Sequence, residues 1–135
     1  MLELLPIPAS SVNDMWPQIA GQVEALAEVS HGRLRAADIM LAVLKRDMQL
    51  WAAHGDDRFS VMLTEILDHP QQREVHIISA TGQNADQWVP LWPKFEEWAR
   101  AQGCVRLTAT CRPGWEKLLS PLGFEKSAIV LEKRL

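Results

Sequence analysis

Apolar positions recur along the chain with two alternating periods, and the switches between them predict an order of elements. LELLPIP near the start is short, apolar and closed by proline, which predicts an edge strand. Ser10, Ser11, Asn13 and Asp14 then offer helix caps, and Trp16, Ile19, Val23, Leu26 and Ala27 follow at helical spacing as far as Ser30-His31-Gly32. Pro17 is expected in the first turn of that helix, where its missing N–H costs little. Ile39, Met40, Val43 and Leu44 predict a second helix over 36–46.

Three strand patterns come next: MQLWAAH, FSVMLTEIL and EVHIISA. Their separators are short and turn-rich, so they should form an antiparallel meander. DQWVPLWPKFEEWARAQG carries an apolar stripe of Trp88, Leu91, Trp92, Phe95, Trp98 and Ala99 and predicts a long helix. Pro90 and Pro93 cannot both occupy its first turn, so a kink or a delayed regular helix is expected. After Gly103, CVRLTATC reads as a strand, WEKLLSPLG as a short helix and FEKSAIVLEKRL as a last strand. The sum is one α/β (α+β) domain over 1–135. It has a mixed, mostly antiparallel central sheet of about six to seven strands, with helices on both faces.

Composition narrows the function more than the fold. With 135 residues, 47% hydrophobic and 23% charged, the chain can bury a core without staples. A formal net charge of −3 supplies no basic face, so no nucleic-acid partner is expected. No apolar run reaches the roughly 18 residues of a membrane span. The first residues lack a secretory pattern, and the expected location is cytoplasmic. Cys104 and Cys111 stand at opposite ends of one predicted strand and cannot bridge within it. His31, His54, His69 and His76 are scattered, so no metal is expected.

The order of elements, with a meander leading into a long helix and a short helix ending at Leu122-Gly123-Phe124, resembles the GNAT superfamily of acyl-CoA N-acyltransferases. The motif Leu118-Leu119-Ser120-Pro121-Leu122-Gly123-Phe124 carries most of the resemblance. Trp51, Thr64-Glu65-Ile66, Trp98-Ala99-Arg100, Arg112-Pro113-Gly114-Trp115 and the Leu131-Glu132-Lys133 tail look like small GNAT-like proteins of tailed bacteriophages and prophages. The superfamily resemblance implies acetyl transfer from acetyl-CoA to an amine. The phage resemblance implies a non-catalytic virion, assembly or interaction module, with phage structural proteins or further copies of the chain as partners. The first predicts an N-acetyltransferase, the second a pseudoenzyme.

The resemblance also implies a cofactor loop between the third meander strand and the long helix, here Ala80, Thr81, Gly82, Gln83, Asn84 and Ala85. A strand that opens onto a helix start makes an anion-binding corner, because the first N–H groups of the helix have no internal partners. This loop is atypical in having one glycine and Asp86 at the helix start. Asp86 would cap that helix and repel a bound phosphate. The positions that carry Asn, a small residue and the acidic Tyr in many active members are Arg112, Trp115 and Leu119, and the chain has no Tyr. An acid role would fall to Ser120, Cys111 or water.

The remaining candidates each have two readings. Glu65 shares a strand face with Phe59, Val61, Leu63 and Leu67 and is a candidate general base, or else it pairs with an arginine such as Arg106 or lies at a sheet edge. His76 is a proton carrier or a hydrogen-bonded structural histidine. Arg112, ahead of Pro113-Gly114, binds an anion of the cofactor or makes a surface ion pair. The six tryptophans fit core or subunit packing better than a stacking platform.

Overall fold

The fold was analysed in a computed structural model that describes residues 3–55, 58–81 and 88–135. Among them, five strands form one sheet in the order β1-β2-β3-β4-β5: β1 Glu3–Ile7, β2 Gln49–Gly55, β3 Arg58–Asp68, β4 Arg73–Ala80 and β5 Arg106–Ala109. The first four are antiparallel neighbours, and β5 pairs with β4 in parallel. The edge strand and the meander are as the pattern predicts. α1 (Val12–Glu28) and α2 (Ala36–Leu44) cover one face, whereas α3 (Trp92–Ala101) covers the other. α4 (Trp115–Leu119) follows β5.

Alternation in β3 feeds both cores. Val61 and Leu63 join Ile19, Val23, Leu26 and Ile39 in an aliphatic core beneath α1 and α2. Met62 turns the other way, into an aromatic core with Trp51, Trp92 and Phe95. Each fully buried large side chain contributes roughly 2 kcal/mol relative to exposure. The Trp51 ring meets Phe95 edge-on at 5.1 Å and Trp98 at 4.6 Å. Its Nε1–H donates to Thr64 Oγ1 at 2.9 Å, and Thr64 donates to Gln49 Oε1 at 3.0 Å, so this buried polar pair is satisfied.

Two expectations need correction. Pro17 lies inside α1, beyond its first turn, because the helix begins at the fully buried Val12, directly after the cap candidate Ser11. The long helix is delayed as expected: Pro90 sits in a 3-10 turn over Val89–Leu91, and Pro93 takes the second position of α3. The predicted sixth strand, FEKSAIVLEKRL, does not form, and the described residues give five strands in place of six to seven. Strand propensity needs a ladder and a face to bury. β5 is only four residues long, and residues 125–135 are exposed along their whole length.

α3 ends where the sequence predicts. Gly103 has φ +81°, Gly103 N–H bonds Arg100 C=O at 3.0 Å and Cys104 N–H bonds Ala99 C=O at 3.0 Å. This is the paired hydrogen bonding of a left-handed helix stop, and it aims the chain into β5.

Candidate active site

β4 carries one extra residue. Thr64 pairs with Ile77, but Leu63 pairs with Ser79, so Ile78 is a bulge. A bulge bends its strand and strengthens the local twist. The ladder to β5 stops at Ile77 and Ala109, one residue before it. Past that point the two strands part around a cavity of about 750 Å³, which Ile78, Ser79 and Ala80 line from the β4 side. The size suits a small-molecule site.

The apolar lining includes Ile77, Trp88, Trp92 and Leu122; the polar lining includes His76, Thr110, Cys111 and Arg112. Trp88 and Trp92 are each only 4% exposed, and the cavity persists beside them rather than being filled by them. Trp92 Nε1 is buried without a hydrogen-bond partner among the described residues, a desolvation cost of about 1–3 kcal/mol. Arg33, from the α1–α2 connection, lines the cavity and contacts Glu132 of the C-terminal segment at 3.1 Å. Both side chains are largely exposed, so the pair adds little stability.

His76 is held by its neighbours. Its Nδ1 lies 2.9 Å from Thr108 Oγ1, and its Nε2 lies 3.3 Å from Thr110 Oγ1. Thr108 donates in turn to Glu74 Oε2 at 2.5 Å, and His69 Nε2 bonds the other Glu74 oxygen. The Thr108 hydroxyl, aided by His69, holds the Glu74 carboxyl below its ordinary pKa against the opposing effect of burial. The parallel register sets His76 beside Thr108, two residues from the site of Glu74 and Arg106.

The other predicted residues fall at varying distances from this wall. Glu65 is half-buried in register with His76, does not line the cavity and makes no ion pair or side-chain hydrogen bond among the described residues. Ser120 is exposed, in a 3-10 turn after α4, and is not part of the lining. Cys111 does line the cavity; burial first, then the Glu116 carboxylate, pushes its thiol pKa up. Arg112 is an exposed part of the lining. Ala80 lines the cavity, whereas Thr81 is used structurally: its N–H donates to Val61 C=O at 2.8 Å and its hydroxyl to Gln22 Oε1 at 2.6 Å. Gly82, Gln83, Asn84, Ala85 and Asp86 lie outside the described residues.

Sequence reasoning missed Glu74, Thr108 and Thr110. A signal existed in Glu74-x-His76 and Thr108-x-Thr110, polar residues two apart on strands, but only the pairing of β4 with β5 brings the two sets together. Among the described residues, no group of three or more His, Cys, Asp or Glu could hold a metal, and no helix is long and apolar enough to cross a membrane.

No protein-family model matches the sequence, and no curated protein matches it. Solved structures do match the fold. An aminoglycoside acetyltransferase from an uncultured soil metagenomic sample superposes with a TM-score of 0.73 at 14% identity, over 100% of this chain and 99% of that one. Another, from a soil metagenomic sample in complex with sisomicin, gives 0.71 at 10% identity, over 99% and 96%. The ribosomal-protein-alanine N-acetyltransferase of Brucella melitensis biovar Abortus 2308 gives 0.69 at 11% identity, over the full length of both chains. The chain shares its fold with these acetyltransferases. These similarities lend nothing to the resemblance to phage proteins.

Proposed function

We propose that this chain transfers an acetyl group from acetyl-coenzyme A to an amine. The parting of β4 and β5 at the Ile78 bulge carries this reading, because it opens a cavity with the His76 imidazole on its wall in a fold shared with acetyltransferases. The names of the similar structures, aminoglycoside acetyltransferase and ribosomal-protein-alanine N-acetyltransferase, support an amine as acceptor.

The lining fits the cofactor. Beyond Ile77 no described residue forms a strand beside β4 on the β5 side, and an unpaired backbone edge suits an extended, amide-bearing ligand as it would an added strand. Ile77, Trp88 and Trp92 give apolar walls, and Arg112 offers a guanidinium for phosphate. The loop residues Gly82 to Ala85 are proposed as further N–H donors. Acetyl-coenzyme A supplies the activated acyl group as a thioester.

His76 takes the proton from the attacking amine through Nε2 and becomes imidazolium. Glu65, in register beside it, is the second candidate base but does not line the cavity. Cys111, kept as a thiol by its raised pKa, is the better-placed donor for the leaving thiolate; Ser120 does not line the cavity.

The test is calorimetric titration of acetyl-coenzyme A, followed by thiol release with a panel of amines. Saturable heat, a rise in melting temperature and amine-dependent release are expected. No heat and no thermal stabilisation at millimolar ligand would overturn the reading.

A further inference from the structure

We infer that Thr108 and Glu74 are positioning residues that fix the tautomer of His76, so that its unprotonated Nε2 serves the cavity. This rests on the transferase reading for its use, and on the hydrogen-bond geometry alone for the tautomer. Thr108 has one hydroxyl proton. An ionised carboxylate accepts and cannot donate, so the 2.5 Å contact commits that proton to Glu74 Oε2. Thr108 Oγ1 is left with lone pairs only. The 2.9 Å contact to His76 Nδ1 is therefore a bond in which Nδ1–H donates. Neutral imidazole carries one N–H, so Nε2 holds a lone pair, and the Thr110 hydroxyl donates to it at 3.3 Å.

The chain of donors runs in one direction, from Thr110 to His76 to Thr108 to Glu74, and ends on a carboxylate whose second oxygen is occupied by His69. When an amine gives its proton to Nε2, its nitrogen bonds the acyl carbon, the thioester C–S bond breaks with its electron pair going to the departing thiolate, and His76 gains one positive charge. Glu74 offsets that charge through Thr108 without taking the proton. Thr110 is exposed, so its hydroxyl can turn away as the amine arrives. Other charged or titratable groups around His76 are Glu65 in register on β3, Arg106 in register with Glu74 on β5, and His31, Arg33, Arg112, Cys111 and Glu132 in the cavity lining.

Two readouts separate this proposal from the transferase reading. Nitrogen NMR of the imidazole in the full chain should show Nδ1–H in the wild type at neutral pH. Thr108→Val should lose that preference, and Thr108→Ser should restore it. A wild-type His76 with Nε2–H, or one whose tautomer is unchanged by Thr108→Val in a folded protein, overturns the assignment. In the transfer assay, Thr108→Val should lower kcat about tenfold or more with KM for acetyl-coenzyme A unchanged, and Thr108→Ser should recover most of it. Glu74→Gln should lower kcat in the same direction by a smaller factor, again with KM for acetyl-coenzyme A unchanged. Wild-type kcat in folded Thr108→Val and Glu74→Gln overturns the positioning role. Absence of turnover in the wild type sinks the transferase reading instead, and NMR then decides the tautomer by itself.

Discussion

Residues 74–77 and 78–80 are consecutive stretches of β4, yet only the first has a strand beside it on the β5 side. In the paired stretch, each side chain has a defined neighbour: Val75 is fully buried against the aromatic core, and Glu74 and His76 bond across to Thr108 and Thr110. In the parted stretch, Ile78, Ser79 and Ala80 are half-buried and line the cavity. A single inserted residue separates a stretch where the ladder holds polar side chains in place from one where its absence leaves space for a ligand. In this protein a hydrogen-bonded stretch and a cavity wall adjoin on one strand, which holds the His76 side chain in place beside the cavity.

Substitutions along β4 can break this contrast, and the largest effect belongs to the paired stretch. His76→Ala should reduce kcat at least about 100-fold, the usual scale for a lost general base, while acetyl-coenzyme A still binds by calorimetry. If binding is lost in parallel, His76 is a wall rather than a base.

Val75→Ala should destabilise by about 2 kcal/mol in urea unfolding, because the site is closed on all sides and collapses poorly. The parted stretch should answer differently. Ala80→Leu should weaken acetyl-coenzyme A about tenfold by filling the cavity, while unfolding stability stays within about 0.5 kcal/mol. Equal stability losses at the two sites would erase the distinction.

The smallest effect is on pH dependence. Folding lowers the pKa of Glu74 from its ordinary 4.5, so its contribution is present above that value and is lost as pH falls through the lowered one. The stability advantage of wild type over Glu74→Gln, measured by urea midpoint, should therefore shrink on acidification below about pH 4.5. An advantage that persists at the lowest pH would mean that the carboxylate charge is not what Thr108 and His69 stabilise.

Much of the fold was legible because burial writes itself into spacing. Ile19, Val23 and Leu26 mark α1, and the alternation of Val61, Met62 and Leu63 marks a strand buried on both faces. The tail Ser127-Ala128-Ile129-Val130-Leu131 has a strand pattern that misleads, because propensity does not say whether a partner edge is available. Pro17 misleads in another way: a local rule placed it in the first turn, and the helix begins well before it, at the fully buried Val12.

The candidate site was less legible. His76, Ala80 and Arg112 were named from the chain, and all three line the cavity, but Glu65 and Ser120 were named beside them and do not. What orders these candidates is adjacency between strands distant in sequence.

The sequence by itself determined the order of helices and strands as far as α4, where α3 stops and which face of each element is apolar, since these depend on neighbours within a few positions. Only the tertiary structure decided that β5 lies beside β4, that the pair stops one residue short of Ile78, and that Thr108 links His76 to Glu74. A hydrogen bond between residues 32 positions apart has no period to betray it; it exists because two strands meet in one register.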